Sequence, residues 1–191
     1  MKKKKSMMEI TIKSVILGIL LSIILAAANA YLGLFAGMTV SASIPAAIIS
    51  MGILRLFRNS NILENNIVQT AASAGESLAA GVIFTIPALV LMGYWTDFDY
   101  IAIAEMAAVG GIIGVMFTIP LRRALIIEAK LTYPEGVATA EVLKAGDEAK
   151  GSKEGGKHLM MILKTALVGG LLKLFQQGFS MWNQSAEGAF G

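Results

Sequence analysis

Six polar side chains stand close together in an otherwise apolar stretch: Asn66, Gln69, Thr70, Ser73, Glu76 and Ser77. On a helix, Asn66, Gln69, Ser73 and Glu76 follow three- and four-residue steps and share one face, with Thr70 and Ser77 beside it. Their chemistry is that of binding rather than bond-making. Amides and hydroxyls exchange hydrogen bonds with a polar guest, and a carboxylate can take up and release a proton or pair with a cation or a substrate amine. A carboxylate deep in hydrocarbon costs about 2.5–3.5 kcal/mol, so Glu76 is expected to face protein or water. The alternative is a structural acceptor near the membrane surface. Asn29, Gln176 and Gln177 are further polar groups in or near apolar segments, expected to join helices, and Glu105 is expected near the outer end of its span.

The stripe opens a long apolar run, 67–94, and four others accompany it: 11–34, 37–54, 101–121 and a weaker one at 159–175 that carries Lys164 and Lys173. A helix needs about 20 apolar residues to cross the hydrocarbon core, which the first four runs supply. With 55% hydrophobic and only 15% charged residues, the chain lies outside the range of soluble domains. The expected fold is therefore an all-α integral membrane protein, a polytopic helical bundle of about five spans with Pro-kinked or broken helices. Three parts are expected: residues 1–121 with four transmembrane helices, a cytoplasmic segment at 122–157, and a fifth membrane segment at 158–191. Residues 146–156, charged and Gly-rich, read as a solvated linker.

Charge sets the orientation. Lys2, Lys3, Lys4, Lys5, Arg55, Arg58, Arg122, Arg123, Lys130, Lys144, Lys150, Lys153 and Lys157 fall on one side if the spans alternate. The opposite connections, 31–36 and 95–100, hold no Lys or Arg. This is the positive-inside pattern of a multi-pass protein with a cytoplasmic N-terminus. The first run also resembles a signal peptide, with Ala28-Asn29-Ala30 as its cleavage site. A retained helix is preferred, because no polar mature segment follows and the apolar stretch is longer than a signal core.

Three prolines share a local pattern: Ser43-Ile44-Pro45, Thr85-Ile86-Pro87 and Thr118-Ile119-Pro120. Each would free a carbonyl one turn back, for which the nearby hydroxyl is a candidate partner. Pro45, Pro87 and Pro120 are thus expected helix breaks lining a cavity, or ordinary kinks in a packed bundle. Small residues at four-residue spacing, Gly33 with Gly37, Ala71 with Gly75 and Ala79, and Gly110 with Gly114, suggest close helix packing.

Other classes lack their residues. No phosphate-cradling Gly-x-x-x-x-Gly-Lys loop is present, which disfavours an ATP-driven pump. Cys is absent and His158 is the lone histidine, so no metal site, cofactor or enzymatic triad is expected. The net charge of +3 flanks apolar runs and points to the lipid bilayer, not to nucleic acid. Nothing resembles a channel selectivity filter.

Three blocks carry a resemblance. Residues 27–45, Ala-Ala-Asn-Ala-Tyr-Leu-Gly-Leu-Phe-Ala-Gly-Met-Thr-Val-Ser-Ala-Ser-Ile-Pro, are similar to the first conserved block of the oligopeptide transporter (OPT) superfamily. Residues 65–77, Asn-Asn-Ile-Val-Gln-Thr-Ala-Ala-Ser-Ala-Gly-Glu-Ser, resemble the second, and 131–143, Leu-Thr-Tyr-Pro-Glu-Gly-Val-Ala-Thr-Ala-Glu-Val-Leu, the third. The resemblance leans to the prokaryotic and yellow-stripe-like side. It implies a secondary active transporter of the plasma membrane that moves small peptides or metal chelates, generally with protons. It also implies a partner: the remaining helices of a longer transporter, of which this chain resembles the N-terminal portion. The rival expectations are a non-transporting membrane scaffold or assembly subunit, and an inactive truncated fragment. Within the third block, Pro134 and Gly136 favour a turn, with a short helix starting near Val137.

Overall fold

The computed structural model describes residues 8–57 and 60–148, with scattered helical positions between 157 and 175. Lys2, Lys3, Lys4, Lys5, Arg58, Lys150, Lys153, His158, Lys173, Gln176 and Gln177 lie outside the described residues, and so does most of the segment expected at 158–191. The chain divides into two compact units, Met1–Leu143 and Lys144–Gly191. The first unit holds the elements that matter here.

Among the described residues all regular structure is helical. The elements are α1 (Ile12–Ala36), α2 (Ser43–Leu54), α3 (Ile62–Leu91), α4 (Tyr100–Leu121) and α5 (Pro134–Glu148), with a π-helical stretch, Arg122–Glu128, continuing α4. Among the described residues three helices are long and apolar enough to span a membrane: α1, α3, and α4 with its extension. The chain is thus an integral membrane protein built of helices.

The second apolar run departs from expectation. Instead of one span it forms an extended segment followed by the 12-residue α2. At about 1.5 Å per residue α2 is roughly 18 Å long, against a hydrocarbon core of about 30 Å. The break begins where α1 stops at Gly37, whose backbone is left-handed at φ 69° and whose N–H donates to the Gly33 carbonyl. Only glycine takes that conformation without strain. Gly37 is therefore a helix stop, not the packing residue its spacing from Gly33 suggests.

Two capping boxes start α1 and α3. Thr11 accepts from the Ser14 backbone N–H, and Asn61 accepts from that of Glu64. In each box the third side chain reaches back to the cap, satisfying helix-end donors reciprocally. The boxes are also linked to each other: Thr11 Oγ1 donates to Glu64 Oε1 at 2.6 Å, and Lys13 Nζ lies 3.0 Å from Glu64 Oε2. This places the starts of α1 and α3 side by side and the two helices parallel.

Farther along, small residues set their distance. A Cβ on Gly18 would lie 2.9 Å from that of Ala71, and one on Gly75 would collide with Ser22. The seam Ala71–Gly75 thus packs α3 on α1, as its spacing suggests. Gly110 and Gly114 on α4 face open space instead. Leu17, Leu21, Ala46, Leu54, Val68 and Ala72 form the small core between α1, α2 and α3.

The prolines take three different places. Pro45 sits in the first turn of α2, where its missing N–H has no helical partner to lose, so it starts a helix rather than breaking one. Pro87 and Pro120 lie inside helices. The neighbouring hydroxyls do not serve the freed carbonyls. Thr85 Oγ1 donates to the Gly81 carbonyl at 2.6 Å and Thr118 Oγ1 to that of Gly114 at 2.9 Å, each one turn behind itself. After Pro120 the helix widens to the π form, ending with Ala129 N–H donating to the Ala124 carbonyl five residues back. Nor is Pro134-Glu135-Gly136 a free turn. Pro134 opens α5 as its first residue, and Val137 N–H already donates to the Tyr133 carbonyl.

Candidate functional site

The break between α1 and α2 brings polar groups from several helices to four consecutive residues. Val40 is gripped by Asn29 of α1: Asn29 Nδ2 donates to the Val40 carbonyl at 2.7 Å, and Val40 N–H donates to Asn29 Oδ1 at 2.9 Å. Ser41 Oγ donates to Glu135 Oε1 of α5. The backbone amide of Ala42 supports the Glu76 carboxylate of α3. Ser43 Oγ shares a 2.7 Å hydrogen bond with Ser73 Oγ of α3. Extended backbone cannot satisfy itself, and in lipid no water does so; Asn29 and Glu76 answer backbone groups of Val40 and Ala42 that a continuous helix would have paired, while Glu135 and Ser73 hold the side chains of Ser41 and Ser43.

These contacts divide the six-residue stripe. Ser73 and Glu76 turn toward the start of α2, which no side chain of its own caps. The N-terminal end of a helix carries partial positive charge, and a carboxylate there is favoured. Glu76 is 7% exposed, so it faces protein, as its cost in lipid requires. Asn66 and Gln69, two turns nearer the start of α3, line a different space. With Ser43, Tyr133, Glu135 and Thr139 they surround a cavity of about 560 Å³. Its apolar walls come from Ile126 and Leu143.

Thr70 and Ser77 leave the site. Thr70 is exposed and bonds back to the Asn66 carbonyl at 2.8 Å. Ser77 opens on a second groove of about 720 Å³, lined by small residues of α1, α3 and α4 that include Ser22, Gly75, Gly110 and Gly114.

Other participants carry no obvious mark in the sequence. Glu135 and Thr139 belong to α5, far from the stripe along the chain, and only the third block hints at them. Glu64 is 1% exposed, yet it serves the helix starts rather than a ligand. Asn29, expected to join two helices, instead holds the backbone that follows its own helix.

Comparison with known proteins agrees with the three blocks. The family model described as OPT oligopeptide transporter protein matches residues 9–189. A Haemophilus influenzae protein inferred to be an oligopeptide transporter is 47% identical over 164 residues, covering 84% of this chain and 26% of the relative. A metal-nicotianamine transporter of Arabidopsis thaliana is 30% identical over 193 residues, covering 88% of this chain and 29% of that protein. The iron-phytosiderophore transporter yellow stripe 1 of Zea mays is 26% identical over 201 residues, 92% of this chain and 28% of its own length. The chain thus spans about a quarter of the length of the curated relatives it matches. No solved structure matches it significantly.

Proposed function

The chain belongs to the OPT oligopeptide transporter family, and from that premise we propose that it forms part of the translocation path of a secondary active, proton-coupled transporter of oligopeptides or metal chelates. Its place is the plasma membrane, with the start of α1 on the cytoplasmic side and further helices of a longer transporter completing the path. Relatives named for oligopeptides and for metal-nicotianamine support both substrate classes.

The observation that carries the reading is the break itself. A helix interrupted within the span, with its backbone held by Asn29 and Glu76 and its serines by Ser73 and Glu135, is the device by which membrane transporters present polar groups at mid-depth. Glu76 lies fourteen residues beyond the first residue of α3, which at about 1.5 Å per residue puts it roughly 21 Å along a 30-residue helix. It is the acid placed to carry the coupling proton, and Asn66 and Gln69 offer amides to substrate.

Two substitutions of Glu76 in the complete transporter test this, with uptake measured from pH 5 to 8. Glu76→Gln keeps an acceptor for the Ala42 amide but removes the exchangeable charge. Uptake should become independent of pH and fail to concentrate substrate, while the protein stays folded. Glu76→Ala should also lower the unfolding temperature. If Glu76→Gln takes up substrate at the unmodified rate and with the same pH profile, Glu76 is a helix cap and not the coupling acid.

A further inference from the structure

We propose that the cavity between α3 and α5 is a recognition subsite for a primary ammonium group, such as the amino end of a short peptide, with Glu135 as its counter-charge and Asn66 and Gln69 as partners for the adjoining peptide unit. The inference rests on the transporter reading and narrows its substrate.

The lining decides the sign of the guest. Among the described side chains around the 560 Å³ space, Glu135 is the one with a formal charge, and no described Lys, Arg or His joins it. A guest rich in free carboxylates finds no cation there, whereas an ammonium finds a carboxylate. Ser41 already donates to Glu135 Oε1, which fixes the carboxylate and leaves Oε2 for a second donor. Charge-assisted hydrogen bonds of this kind are the stronger ones.

The neutral groups point the same way. Thr139 is 5% exposed and adds wall to the cavity, its hydroxyl oxygen buried away from the opening. Asn66 and Gln69 stand one helical turn apart, and both line the cavity. Among the described residues, Gln69 Oε1 meets only the Thr70 hydroxyl, at 3.5 Å. Each amide offers a donor and an acceptor, which is the complement of a peptide group. Tyr133, Ile126 and Leu143 supply apolar wall for a small side chain. The volume lies within the roughly 300–1,000 Å³ typical of small-ligand sites.

The test uses the full natural polypeptide in lipid nanodiscs, with trialanine and N-acetyl-trialanine as probes in a calorimetric titration. Trialanine should bind on the order of tenfold tighter than its acetylated form, the worth of one charge-assisted contact. Glu135→Gln should abolish that preference by weakening trialanine alone, and Glu135→Asp should retain part of it. Equal binding of the two probes, or a preference that survives Glu135→Gln, overturns the subsite. The transporter reading fails separately. If metal-nicotianamine is taken up into vesicles while the probes bind equally, transport stands and the ammonium subsite falls. If neither chelate nor peptide crosses under any ion gradient, transport falls, and the titration still decides what the cavity binds.

Discussion

Asn29 holds both backbone groups of Val40, donating to its carbonyl at 2.7 Å and accepting from its N–H at 2.9 Å. One side-chain amide thus does for Val40 what a neighbouring strand would do. The pairing spans eleven residues, because the chain doubles back after Gly37. Asn29 is 4% exposed and Val40 lies in a segment with no helical bonds of its own, so nothing else stands ready to replace the contact.

Substituting Asn29 should therefore cost more than a typical hydrogen bond. Asn29→Leu strands two backbone groups, each worth about 1–3 kcal/mol when buried and unmet. Asn29→Asp keeps an acceptor for Val40 N–H but must either bury a carboxylate against the Val40 carbonyl or hold a proton to donate to it, so its loss should shrink as pH falls while that of Leu should not. Thermal unfolding in detergent, followed by loss of helical signal, ranks the variants. A Leu variant as stable as the unmodified protein would show that the extended segment does not depend on Asn29.

The ion pair at the helix starts makes a second prediction. Glu64 is almost wholly buried while Lys13 is a quarter exposed. Lys13→Met leaves the carboxylate with Thr11 and Asn61 but no cation, and should destabilise the protein by about 1–3 kcal/mol, less than for a fully buried pair because water reaches the lysine. Adding Glu64→Gln should recover part of the loss, since the amide still accepts from Thr11 without a buried charge. Denaturant titration of the two single variants and the double variant gives the coupling. Additive losses would mean that the two side chains act independently.

Much of this architecture was legible beforehand and some was not, for reasons that are local. Apolar runs long enough to span gave α1, α3 and α4, because length against bilayer thickness is a one-dimensional property. The same logic misread residues 37–54. Hydropathy does not register that Gly37 turns the chain left-handed, or that a distant Asn29 makes extended backbone tolerable. The shared face of Asn66, Gln69, Ser73 and Glu76 follows from helical spacing. What it could not reveal is that the face serves two places, the start of α2 at Ser73 and Glu76 and the cavity shared with α5 at Asn66 and Gln69. Glu135 and Thr139 carry little mark because their meaning comes from sharing a cavity with residues some seventy positions earlier, which periodicity cannot encode.

Two glycines of α3 offer a controlled comparison. A Cβ on Gly75 would collide with Ser22, whereas one on Gly81 meets nothing within 4 Å. Gly75→Ala should push α1 from α3 and destabilise by about 1–3 kcal/mol, the usual range for overpacking. Gly81→Ala should be neutral or stabilise by up to about 1 kcal/mol, because alanine loses less backbone freedom in a helix. Melting temperatures of the two variants measure the difference, and similar values would mean that α1 and α3 are not in close contact at Gly75.

The parallel course of α1 and α3, with α2 returning between them, fixes which connections share a side of the membrane. The α2–α3 connection at Phe57 lies with the starts of α1 and α3, and the α3–α4 connection at Thr96 lies opposite. Arg55 stands on the first side, while Asp97 and Asp99 stand on the second, where Asp99 caps α4 through the N–H groups of Ile101 and Ala102. Positive charge is retained on the cytoplasmic side, so Phe57 should be inside and Thr96 outside. The chain has no cysteine of its own, so single replacements report cleanly. In intact cells, Thr96→Cys should react with a membrane-impermeant maleimide, and Phe57→Cys should react only after the membrane is opened. The reverse pattern would invert the orientation and place the cavity beneath Glu135 on the outer face. Labelling of both sites from outside would mean that α3 does not cross the membrane.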